Sequence, residues 1–137
     1  MYMIKVRQEV HSIYVTVKKH NAGELKQNLM KLNNQVHQNI FKIGLIEQHV
    51  DFTDNKIIIL SKNKRIPVLN IIYEESKDVS HIIERLVNIN YKTQLEKKLV
   101  ELFDFGIEIV LRDYDPTKNT NVVIIILNKD IRNYVTG

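Results

Sequence analysis

The chain has 137 residues, a formal net charge of +4, 44% hydrophobic residues and no cysteine; this length suits one domain with its own core, since folding at this size buries roughly two thirds of the unfolded surface. The lack of cysteine excludes disulfides, thiolate zinc sites and a cysteine nucleophile, and it suits a reducing compartment. No apolar run reaches the roughly 18 residues of a membrane-spanning helix, and charge interrupts the opening MYMIKVRQEV too early for a signal peptide, so the expectation is a soluble, cytoplasmic protein.

From Val10 to Lys18, the apolar Ile13, Val15 and Val17 alternate with Tyr14, Thr16 and Lys18, the period-two pattern of a half-buried strand. The residues before it have no clear period and fit either a frayed start or the outer half of a hairpin. His20-Asn21-Ala22-Gly23 breaks the pattern. From Glu24 to Ile43, Leu25, Leu29, Leu32, Val36, Ile40 and Ile43 fall on one helical face, with His37 at its edge as a structural histidine. Ile46, Gln48, Val50 and Phe52 share one side of the next strand. Thr53-Asp54-Asn55 then turns the chain into the run IIIL, which suits a strand covered on both faces or central in its sheet.

The segment from Lys56 to Arg65 carries Lys56, Lys62, Lys64 and Arg65 without an acid. A basic hairpin edge of this kind could meet phosphate, lipid headgroups or an acidic partner; a solvated edge strand guarded by lysines against aggregation is the favoured explanation. Pro67 suits a first helical position, so Pro67 to Glu75 reads as a short helix, with a strand as the alternative. Ser76 and Asp78 can cap a further helix through Val79, Ile82, Ile83, Leu86 and Val87, which Asn88 to Asn90 can interrupt. Tyr91 to Asp104, with Leu95, Leu99, Leu102 and Phe103, is the second long helix. A strand from Ile107 to Arg112, a type I turn at Asp115-Pro116 and the returning VVIIIL make a second hairpin. The closing NKDIRNYVTG reads as a polar tail whose Ile131 and Tyr134 either dock or stay free.

FKIGLIEQHVDFTDNKIIIL, from Phe41 to Leu60, is a weaker copy of the stretch from Phe103 to Leu127. Each has an aromatic three residues before a glycine, Gly44 or Gly106, where a left-handed helix cap is expected. The fold class is therefore α+β: one domain over 1–137 with internal repeats at about 24–61 and 91–128. Two helix-strand-strand units form a mainly antiparallel sheet packed against two long helices, with an extra N-terminal strand.

No phosphate-binding glycine loop, serine elbow or metal-spaced histidine pair occurs, so neither a catalytic motif nor a cofactor site is expected. Asp113 and Asp115 lie one residue apart before the turn, with Asp51 and Asp54 in the matching place of the first copy. Paired oxygens there could hold a hard cation, although turn chemistry accounts for the same spacing. Arg112 could neutralise the pair, and with Lys118 these residues form a candidate functional turn.

The long helix ending near Phe103, the strand Ile107 to Arg112, the turn Asp113-Tyr114-Asp115-Pro116-Thr117-Lys118 and the returning VVIIIL together resemble the small bacterial family named after MpsC, which is associated with a cation-translocating, membrane-potential-generating system. The likeness spans roughly Leu25 to Ile131. It implies a non-enzymatic accessory or regulatory cytoplasmic protein, possible at the membrane periphery, beside a membrane transport-system subunit for cations or inorganic carbon. Nucleic-acid binding through the basic hairpin edge is the alternative. The strand edges and apolar runs also predict a homodimer.

Overall fold

The computed structural model describes the backbone of residues 2–8, 11–17 and 20–136, and the side chains from Asn21 to Thr136. β1 (Tyr2–Gln8) and β2 (His11–Val17) form an antiparallel hairpin, so the N-terminal segment is the outer half of a hairpin. The half-burial expected of β2 lies outside the described side chains. β3 (His20–Asn21) pairs in parallel with β8 (Val135–Thr136), which ties the C-terminal segment to the start of the first helix. Ile131 is buried and Tyr134 packs against the core, so both residues of the expected polar tail dock.

α1 (Ala22–Phe41) starts at Asn21, whose Oδ1 accepts from the Glu24 N–H at 2.8 Å while its Nδ2 donates to Glu24 Oε1 at 2.9 Å. This satisfies one of the helix's free N-terminal donors. Leu25, Leu29, Leu32 and Val36 are buried, as the spacing requires. The left-handed residue that ends the helix is Lys42, at φ 61°, and Asp104 does the same for the later helix at φ 54°. The expectation that Gly44 and Gly106 adopt this conformation is thus corrected, since each lies two residues further on. At Gly106 a Cβ would meet the exposed Asn128 side chain, which would have to turn away, and the Asn128 N–H donates to the Gly106 carbonyl at 2.8 Å.

β4 (Leu45–Thr53), β5 (Lys56–Asn63), β6 (Ile107–Asp115) and β7 (Thr120–Leu127) form one antiparallel sheet in the order β4-β5-β7-β6. The two helix-strand-strand units meet at β5 and β7, paired from Lys56 with Ile126 to Lys62 with Thr120. The IIIL run is therefore central. The basic segment is not a hairpin edge, because β4 and β6 occupy the edges. Nor is β5 covered on both faces: Ile57 and Ile59 are buried, whereas Leu60 on the opposite face is 47% exposed.

α2 (Pro67–Glu75) carries Pro67 in its first turn. α3 (Lys77–Phe103) runs without a break through Asn88 to Asn90, so the two separate helices expected there are one element of 27 residues. Asparagine costs an α-helix well under 1 kcal/mol, and these side chains find partners: Asn88 bonds to Arg112, and Asn90 Oδ1 accepts from Gln94 Nε2. Ser76 caps its start by accepting from the Val79 N–H at 3.2 Å. Tyr91, Leu95, Leu99 and Phe103, four residues apart, bury one stripe, while Val79, Ile82, Leu86 and Leu102 are exposed and do not join the core as their spacing suggested. α1 lies over β4 and α3 over β6, on the same sheet face.

Candidate functional site

The face between sheet and helices is apolar at one end and polar at the other. Leu25, Leu29, Leu95, Leu99, Phe103, Phe105, Ile57, Ile125 and Leu127 fill the apolar end. Toward the other end the inward positions become Ser61 and Asn63 on β5, Asn121 on β7 and Arg112 on β6, all buried. Asn33 on α1 links this layer. Its Nδ2 donates to Gln48 Oε1 at 3.0 Å and to Ser61 Oγ at 3.2 Å, and its Oδ1 accepts from the Tyr91 hydroxyl at 2.5 Å. His37 Nδ1–H donates to the Ile43 carbonyl at 2.7 Å, which fixes its tautomer, and burial lowers its pKa below 6.5.

Arg112 is the charged member of this layer. Its guanidinium stacks 4.1 Å from the Tyr91 ring centroid and lies 5.8 Å from that of Tyr114. Nη1 donates to Asn88 Oδ1 at 2.7 Å, and Asn88 Nδ2 donates back to the Arg112 carbonyl at 2.8 Å, so the helix holds both side chain and strand. Nε is enclosed, and among the described residues it makes no hydrogen bond and no carboxylate forms an ion pair with Arg112. Burial pulls its pKa below the usual arginine value, yet a guanidinium keeps its proton in proteins. Asn63 Oδ1 and both polar atoms of the Asn121 amide are likewise enclosed without partners. Asn121 pairs across the sheet with Ser61 and Tyr114, so these orphaned groups lie close to Arg112 on one face.

A cleft of about 440 Å³ opens beside Arg112 between α2, α3 and β6. Leu69, Ile83, Val87 and Phe41 supply apolar wall, and its charged lining is Arg85, Lys92 and Arg112 against Glu84 and Asp113, with His81. Glu84 accepts from the Ser80 hydroxyl at 3.4 Å, and Asp113 accepts from the Tyr114 N–H at 2.9 Å. Lys92 makes no ion pair among the described residues. The balance favours an anion.

The candidate turn divides. Strand alternation sends Arg112 inward and Asp113 and Asp115 outward, so the arginine's close contacts are Asn88 and the tyrosines, and it does not bridge the two aspartates. Asp115 accepts from the Thr117 N–H at 2.9 Å and hydroxyl at 2.6 Å, bonds that hold its carboxyl below the usual range and close the turn. The Lys118 N–H donates to the Asp115 carbonyl at 3.3 Å. Among the described residues no three His, Asp or Glu side chains cluster as a metal site would require.

Lys62 meets Asp113, Asp115 and Lys118 around a shallow groove of about 510 Å³ on the outer sheet face, with mixed charge. Lys64 and Arg65 lie beyond β5 in the exposed connection to α2, and Lys56 at the start of β5 donates to Asn55 Oδ1 at 3.0 Å. The basic four do not form one patch around a site. Asn88, Tyr91, Lys92 and Asn33 were not singled out from the sequence for function. The available signal was Arg112 itself, a cation at the inward phase set by Val110. Comparison with family models, with curated proteins and with solved structures finds no match.

Proposed function

We propose that this chain is a non-enzymatic accessory protein of a membrane transport system for cations or inorganic carbon, and that it acts by binding. The buried Arg112 at the wall of the cleft carries the binding part of this reading. A buried charge with no close ion pair among the described residues, helped only at longer range by Asp113, is costly, and an arrangement that keeps one beside an opening is better suited to receiving a charged group than to stability alone. The transport setting rests on the resemblance of the Arg112 to Lys118 turn and its flanking strands to the MpsC family. No helix among the described residues is long and apolar enough to cross a membrane, so an accessory role fits better than a channel-forming one.

The outer sheet face adds a partner of the same kind. Ile58, Leu60, Ile109, Leu111, Val122 and Ile124 form a continuous apolar block across β5, β7 and β6, away from the helices. A second copy covering it would form a twofold dimer.

Crosslinking in native cells followed by co-purification tests the transport setting: a membrane transport subunit should be recovered with the chain, and repeated recovery of soluble complexes alone contradicts the reading. The nucleic-acid alternative is weakened by the central position of β5 and by the dispersal of Lys56, Lys62, Lys64 and Arg65. Titration with labelled DNA and RNA at low and moderate salt should show little binding. Tight, salt-sensitive binding lost on replacing these four residues would instead establish a phosphate-binding surface.

A further inference from the structure

The feature that neither the transport setting nor the turn explains is a cation buried under two aromatic rings with one face toward an amphiphilic cleft. Arg112 is 8% exposed, Nη1 is engaged by Asn88, and Nε has no acceptor among the described residues. Tyr91, itself fully buried and bonded to Asn33, fixes the guanidinium plane from one side. Stacking on Tyr91 and the bond to Asn88 therefore hold the guanidinium in place, and with Nε enclosed a ligand meets Arg112 at the part of the group that lines the cleft.

Lys92 stands one residue after Tyr91 at the same cleft, where it can add a second positive charge at the rim. Leu69, Ile83, Val87 and Phe41 supply an apolar part of the wall. A volume near 440 Å³ is that of a small-molecule site, and its lining sets an apolar wall against several charged and polar side chains.

We propose that the Arg112 cleft binds a small organic anion, a single carboxylate or phosphate group on a compact apolar body, with the anionic group at Arg112 and Lys92 and the body against Leu69, Ile83 and Val87. This deepens the binding role proposed above and names its ligand class. A planar guanidinium suits both oxyanions through paired N–H donors, while the apolar wall selects against bare inorganic ions. Asp113 and Glu84 at the rim disfavour highly charged ligands.

The test is NMR titration of the full chain with benzoate, phenyl phosphate, acetate and inorganic phosphate, following the Arg112 Nε–Hε resonance. Benzoate or phenyl phosphate should shift it saturably, at least about tenfold more tightly than acetate or inorganic phosphate. Lys92→Met, at the rim and outside the core, should stay folded and weaken binding about tenfold, while Arg112→Met should abolish it. No saturable shift up to roughly 10 mM of any probe overturns the proposal. Equal affinity for inorganic ions removes the apolar subsite, and an unchanged Lys92→Met places the anion elsewhere. Because the titration needs no partner, failure of the transport setting leaves its result intact, and capture of a transport subunit without anion binding sinks this inference alone.

Discussion

At the residue scale, α3 contributes Tyr91, Leu95, Leu99 and Phe103 to the core. Leu99 was legible as a core residue because it repeats four residues from Leu95 and from Phe103, and it is fully buried. Leu99→Ala should lower stability by roughly 2–5 kcal/mol, through lost transfer energy and the cavity left behind, and an unchanged denaturant midpoint would remove it from the core. His37 was read only as lying at the edge of the stripe, since neither its buried depth nor its bond to Ile43 is visible in spacing. Burial is the largest influence on its pKa and lowers it from 6.5, so the folded state resists a proton that the unfolded chain accepts. Stability from this residue is present above pH 6.5, falls as pH drops through that value, and levels off below the lowered folded pKa. The denaturant midpoint should fall between about pH 7 and about pH 5 more steeply in the native chain than in His37→Gln, and parallel profiles would contradict this. Arg112 was noticed, but for the wrong neighbours: adjacency in sequence suggested the aspartates, while the strand's period of two turns the side chain toward Asn88 and Tyr91.

At the element scale, the two hairpins and α1 were legible because each carries an uninterrupted period and a turn signal. The division of α3 was misread because Asn88 to Asn90 resemble a break only until their tertiary partners are known; Asn88 holds Arg112. Edge and centre could not be assigned to β5 from its own residues, since strand order depends on which hairpin strand meets the other unit. The same ordering leaves the outer apolar block of β5, β7 and β6 away from both long helices, with Leu60, Ile109 and Leu111 each more than two-fifths exposed. A dimer formed there would bury on the order of 1,200 Å² or more. Sedimentation equilibrium over a wide concentration range should show mass above that of one 16.2 kDa chain, with Leu111→Lys shifting it toward the monomer. A single-chain mass throughout would show that this face stays open.

At the scale of the whole molecule, the α+β class and the helix-strand-strand order were readable because two copies of one pattern imply two copies of one unit. The cleft was not readable, because it joins α2, α3 and β6, and its polar lining becomes a site only when Tyr91 and Asn88 meet Arg112 across the core. The proposed accessory role in membrane transport runs through this cleft. The most direct measurement is uptake of cations and of inorganic carbon in native cells lacking the chain, complemented at matched abundance by the native sequence, Arg112→Lys or Arg112→Met. Uptake of one of these should fall on removal, return with the native sequence, return partly with Arg112→Lys and stay low with Arg112→Met. Uptake unaffected by removal, or fully restored by Arg112→Met, would contradict the account.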